Sequence, residues 1–177
     1  EIKVKHPEAR PGGNGQEPFL PFERDPETLA RPWALPGTAG LEHRMGGLSK
    51  APLTGKVSYD PADHEQMVME RAEKVARLAD IIPDQEVFGP ESGDLLVVSF
   101  GGTYGAARSA VAQVRAQGKS VSHANLRYLN PFPKNLAHIL GNFERILVPE
   151  LNGGQLAFLL QGQFARPVIS YPKLHAR

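Results

Sequence analysis

The sequence of 177 residues contains no cysteine. No disulfide, thiolate metal site or cysteine-ligated iron–sulfur cluster can therefore be built from it. It also lacks any apolar run near the ~18 residues needed to span a bilayer as a helix. An excess of charge is missing too: 20 basic against 19 acidic side chains leave a formal net charge of +1. That balance gives no electrostatic reason to expect a nucleic acid or an anionic membrane as partner, and it mildly favours association with other subunits. The six histidines are scattered without HxxxH or HxH spacing, so no metal site is suggested. No nucleophile elbow, complete GxGxxG or P-loop occurs. The opening Glu1-Ile2-Lys3-Val4 has neither an initiator methionine nor a signal-peptide core, which reads as a cytoplasmic chain entered part-way along a longer one.

What is present is globular: 41 % hydrophobic and 22 % charged residues. Two unlike parts follow one another, with the boundary expected near residue 58. In residues 1–58, proline recurs at Pro7, Pro11, Pro18, Pro21, Pro26, Pro32, Pro36 and Pro52. Proline removes a backbone donor and fixes φ, so neither a long helix nor a central strand is expected there. Phe19, Leu20, Phe22, Leu29, Trp33 and Leu35 are nevertheless too apolar for a solvated spacer. The segment reads as an irregular arm that needs a surface to lie on.

Residues 59–177 read as an α/β domain with a leading helix. Asp60 is a good cap, Pro61 suits the first helical position, and Asp63 adds negative charge in the first turn. Val68, Ala72, Val75, Ala79 and Ile82 then form one apolar stripe, expected to pack on the domain that follows. From Asp94 onward, strand and helix signals alternate. Strands are expected at 95–100, 121–129, 145–149 and 167–171, and helices at 104–117, 136–140 and 154–164. Short links between them imply right-handed crossovers and a three-layer α/β/α fold on a mostly parallel sheet.

Three places carry candidate chemistry. Gly101, Gly102 and Gly105 follow a strand and open a helix, where free amides favour an anion such as a phosphate; a tight strand-to-helix turn is the plainer reading. Glu150, Asn152, Gly153, Gly154 and Gln155 sit at the carboxyl end of a strand, the edge where ligands and partners of open parallel sheets bind. A structural loop and an intersubunit contact both suit them. Glu42, His43 and Arg44 lie between glycines, as an exposed functional loop or a solvated turn.

Four blocks in register resemble a known family. Pro32-Trp33-Ala34-Leu35-Pro36-Gly37-Thr38-Ala39-Gly40-Leu41-Glu42-His43-Arg44 resembles the segment joining two domains of the α subunit of 2-oxoacid:ferredoxin oxidoreductases, of the 2-oxoglutarate type. Gly55 to Pro61 with Arg71-Ala72-Glu73-Lys74, Leu126 to Pro133, and Val148 to Leu156 are similar to further family blocks in order and spacing. After Phe164, the stretch Ala165–Arg177 departs from the basic, glutamine-containing tail of the family. The resemblance implies a fold like the C-terminal domain of transketolase. It also implies an intact enzyme that oxidatively decarboxylates a 2-oxoacid to an acyl-CoA. Thiamine diphosphate with Mg²⁺, iron–sulfur clusters and coenzyme A serve that enzyme, and electrons pass to ferredoxin. It further implies that the β subunit chiefly holds the diphosphate and the clusters and a preceding α domain completes the thiamine site, with no cofactor bound by this chain alone. In that reading the chain is mainly a scaffold and subunit-contact domain. The competing reading is a free-standing nucleotide- or coenzyme A-binding domain.

Overall fold

The computed structural model describes residues 18–174. The chain divides into two compact units, one ending at Leu78 and one beginning at Ala79.

Among the described residues of the first unit, no helix or strand precedes helix α1, Pro61–Ala76. The proline-rich stretch is held by isolated antiparallel bridges, Phe22 with Leu53 and Lys50 with Val57. The helix starts as its sequence dictates: Asp60 accepts the Ala62 amide at 2.9 Å, and Pro61 occupies the first position. Its packing differs from expectation. The helix belongs with the preceding segment, so the boundary falls at 78/79 and not near 58. The stripe through Val68 and Ala72 is not its inward face, since Val68 is 48 % exposed and α1 has no buried residue. The side that meets the segment carries Asp63, Met67 and Glu70, which share a cleft with Phe22, Arg24 and Lys50. The reason is electrostatic. Arg24 lies 2.5 Å from Glu70, and Arg77 donates to the carbonyls of Pro26 and Glu27 at 2.8 and 2.6 Å. Apolar periodicity does not record these partners.

The second unit contains β1 (Gly93–Phe100), α2 (Tyr104–Ala116), β2 (Val121–Leu126), α3 (Leu136–Gly141), β3 (Phe143–Glu150), α4 (Gln155–Phe164) and β4 (Ile169–Pro172). All three strand pairings are parallel, in the order β2-β1-β3-β4. A parallel sheet is covered on both faces, and its central strand is apolar on both sides. In β1, Leu96 and Val98 pack with α3 and α4 through Leu136, Leu140, Leu156 and Leu160. Val97 points the other way, to Ala107 and Val111 one turn apart on α2. This is the three-layer α/β/α arrangement expected. The outer edge of β2 is closed by Phe88, whose backbone exchanges two hydrogen bonds with His123 at 2.8 and 3.0 Å. Such a cover protects an edge strand from pairing with another chain.

Candidate functional site

The strand order places a topological switch point between β1 and β3. The crossover through α2 carries the chain to one side of β1, and the crossover through α3 carries it to the other. In open α/β sheets the crevice at the carboxyl ends of two such strands is where ligands bind. Two sequence candidates meet this description: Gly101–Gly105 after β1, and Glu150–Gln155 after β3.

These two turns are chemically unlike. After β3, Asn152 Oδ1 accepts the amides of Gly154 and Gln155 at 2.8 and 3.3 Å. Glu150 reaches further, accepting the Leu156 and Ala157 amides at 2.8 and 3.0 Å from a buried position. Four successive amides at the start of α4 are thus satisfied by two side chains of the same loop. An anion has no free donors there, and the Glu150 carboxylate is spent locally. Gly154 has φ +98°, and a Cβ would lie 2.9 Å from Ser170 Oγ, so glycine is required. Gly153 and Gln155 are exposed and remain available to a neighbour.

After β1, a single 3₁₀ turn, Gly101–Thr103, leads into α2, and no side chain caps that helix. Thr103 Oγ1 instead donates to the Phe100 carbonyl at 2.8 Å. Gly101 needs its φ of +60°, but Gly102 and Gly105 have ordinary φ and open space where a side chain would stand. Nothing inside this unit demands glycine at those two positions.

A third constellation lies beside this turn. Ser99 Oγ donates to Asn125 Oδ1 at 2.8 Å and is 2.7 Å from His123 Nε2. Ser99 and His123 are buried, and Tyr104 stacks on the imidazole with centroids 5.9 Å apart. Burial first, and then the Arg108 guanidinium, lower the His123 pKa below its ordinary 6.5. The ring is a neutral, hydrogen-bonded strut beneath the Gly101–Gly105 turn, and its burial removes it from direct chemistry.

In the first unit, Glu42 and Arg44 are exposed, while the neighbouring Leu41 is buried. His43 is held between the Leu41 carbonyl, 2.8 Å from Nδ1, and the Phe19 ring, 5.5 Å away. Among the described residues no group of three or more His, Cys, Asp or Glu side chains could hold a metal ion. With no cysteine in the sequence, the chain's donors do not fit an iron–sulfur cluster. Among the described residues no set of acidic side chains is gathered for the metal of a metal–diphosphate site either. No helix is long and apolar enough to cross a membrane among the described residues.

A crossover-built parallel sheet with a switch point at its carboxyl edge defines an open α/β domain of the three-layer class. Residues 93–170 match the family described as pyruvate:ferredoxin oxidoreductase core domain II. Over 97 % of its length the chain is 45 % identical to the 2-oxoglutarate oxidoreductase subunit KorA of Mycobacterium tuberculosis, of which it covers 25 %. It is 32 % identical to the α subunit of 2-oxoacid:ferredoxin oxidoreductase 2 of Aeropyrum pernix, over 78 % of this chain and 21 % of that one. A solved 2-oxoglutarate:ferredoxin oxidoreductase from Magnetococcus marinus, with 2-oxoglutarate, coenzyme A and succinyl-CoA bound, matches with a TM-score of 0.79 at 29 % identity. The match covers 90 % of this chain and 28 % of that one. By sequence and fold alike, the chain is similar to part of the 2-oxoacid:ferredoxin oxidoreductase α subunits. It spans about a quarter of the length of these relatives.

Proposed function

We propose that this chain works as the scaffold and subunit-contact portion of the α subunit of a cytoplasmic 2-oxoglutarate:ferredoxin oxidoreductase. Its partners there are the β subunit, the preceding α domain and, through the assembly, ferredoxin. The observation that carries the reading is the distribution of committed and uncommitted groups. The strong polar groups at the carboxyl edge, Glu150, Asn152, Ser99 and His123, are bonded to one another or to local backbone. Large apolar side chains are left outward. Helix α4 buries Leu156 and Leu160 on one side yet leaves Phe158 78 % exposed, and Trp33 of the first unit is 61 % exposed. Exposed aromatic side chains are the residue type that interfaces most often bury. In this reading Glu42, His43, Arg44, Asn152, Gly153, Gly154 and Gln155 border subunit contacts. Thiamine diphosphate with Mg²⁺, the iron–sulfur clusters and coenzyme A are bound chiefly by other parts of the assembly.

The test is reconstitution. The chain alone is expected to show no 2-oxoglutarate-dependent ferredoxin reduction, and Phe158→Asp in the full α subunit is expected to weaken its association with the β subunit. Micromolar binding of thiamine diphosphate with Mg²⁺ by this chain alone, measured by calorimetry, would overturn the reading. A second reading, a nucleotide or coenzyme A phosphate on the Gly101–Gly105 turn, draws support from the uncapped start of α2 and the open space at Gly102 and Gly105. Calorimetric titration with coenzyme A discriminates it.

A further inference from the structure

The two faces of the sheet are not equally covered. Within the second unit, and among the described residues, helices α3 and α4 cover one face, while only α2 packs on the other, over β1 and β2. Beside α2 a trough of about 390 Å³ runs across β1 and β3 to β4. Its floor is Val97 of β1 with Leu147 and Pro149 of β3, and Tyr171 of β4, half exposed, stands at its far side. One wall is the flank of α2, where Ala106, Ala110 and Val114 recur at helical spacing, and both alanines are exposed. The nearest charged groups are Glu150, whose two oxygens are already bonded, and Lys173, whose ammonium rests 5.5 Å from the Tyr171 ring centre.

We propose that this trough seats an amphipathic helix from the rest of the enzyme, lying beside α2 and running in the same direction. The inference rests on the subunit-contact reading and names the partner of that surface. Four features select a helix. A parallel sheet is stable with both faces covered, and the uncovered strip lies alongside α2. Alanines on the facing flank of α2 allow a second helix axis to approach to about 8–10 Å. The floor is apolar, so the occupant presents a stripe of apolar side chains at spacings of three and four. Relatives about four times as long as this chain have ample polypeptide to supply it. Charge sets the direction. Lys173 lies at the carboxyl edge of the sheet, where α2 begins, and a helix running like α2 brings its first turn there. Acidic residues favoured in a first turn then meet Lys173.

The probe is an acetylated 16-residue peptide with two glutamates in its first turn and leucines at spacings of four and three, added to the 177-residue chain. Binding is read by fluorescence anisotropy and by methyl NMR of Val97 and Leu147. Saturable binding is expected, weakened at least tenfold by Ala110→Glu. With Lys173→Glu, a peptide whose first turn carries lysine should bind better than the acidic one. Ala110 is exposed, so its variant keeps the fold; an unchanged circular dichroism spectrum and melting curve verify this. Absence of saturation at millimolar peptide, equal binding of a peptide with scrambled leucines, or indifference to Ala110→Glu would each overturn the proposal. So would decanoate shifting the same methyls while the peptide does not, which would make the trough a site for aliphatic acids. Association of the chain with the β subunit is measured in parallel. If association persists while the peptide fails, only the helix is wrong. If association fails while the peptide binds, the subunit-contact reading falls and the trough stands.

Discussion

The carboxylate of Glu150, the last residue of β3, accepts the backbone N–H of Leu156 in the first turn of α4 at 2.8 Å, and its second oxygen accepts that of Ala157 at 3.0 Å. The strand thus supplies the anion that its own following helix would otherwise seek from a ligand. A buried carboxylate in two charge-assisted bonds is costly to alter, because a carboxamide can accept from one amide but must point its NH₂ at the other. Glu150→Gln is expected to destabilise the second unit by about 1–3 kcal/mol, read from urea unfolding of the chain. Unchanged stability together with loss of association with the β subunit would instead assign Glu150 to the interface.

That relationship also marks how far the sequence could be read. The run Leu95-Leu96-Val97-Val98, the helix closed by Gly118, and the alternation that follows were legible, because apolar patterning and turn residues report burial directly. The loop after β3 was legible as a place and ambiguous as a role. Whether Glu150 turns toward its own helix or a neighbour depends on how the chain returns over the sheet, and composition does not encode that. The Ser99–His123–Asn125 cluster escaped because it exists only through strand register: Ser99 pairs with Asn125, and Val97 with His123. The side of α1 that meets the preceding segment was not legible because its partners, Arg24 and the carbonyls of Pro26 and Glu27, are polar and about fifty residues away in sequence.

His123 supplies a pH dependence whose sign follows from its environment. Burial, then Arg108, hold the folded-state pKa below the ordinary 6.5. The unfolded chain therefore takes up a proton near pH 6.5 that the folded state refuses. The contribution is complete above that pH and is lost as pH falls from about 6.5 toward the lowered folded value. Urea unfolding between pH 5 and 8 should show stability rising with pH more steeply for the wild type than for His123→Gln. Parallel curves for the two proteins would show that the ring does not titrate in this way.

Arg77 ties the end of α1 to the Pro26–Glu27 turn, donating to both carbonyls while ion-pairing with Glu73 at 3.0 Å. Its side chain is about one-third exposed, so the ion pair adds little and the carbonyl bonds dominate. Arg77→Ala is expected to cost about 1 kcal/mol. Its clearest readout is faster hydrogen exchange at Leu29, whose amide donates to Asp25, with β1 amides unchanged. Equal acceleration in both places would mean a global effect.

The glycines of the two switch-point turns should respond in opposite directions, and the contrast separates local need from use by a neighbour. Gly154 combines φ +98° with Ser170 Oγ 2.9 Å from the position of a Cβ. Gly154→Ala therefore meets both backbone strain and a close contact, and about 1–3 kcal/mol of stability should be lost. Gly105 lies in the first turn of α2 with ordinary helical φ and nothing within 4 Å of a Cβ. There alanine only removes unfolded-state freedom, and Gly105→Ala should stabilise the chain by about 0.5–1 kcal/mol. A residue that costs the isolated fold stability invites the question of what it serves. If a phosphate or a neighbouring subunit approaches the α2 start closely, the same Gly105→Ala variant should melt higher and yet bind coenzyme A or assemble with the β subunit more weakly. Higher melting with both other properties intact would reduce the Gly101–Gly105 turn to a connection between strand and helix.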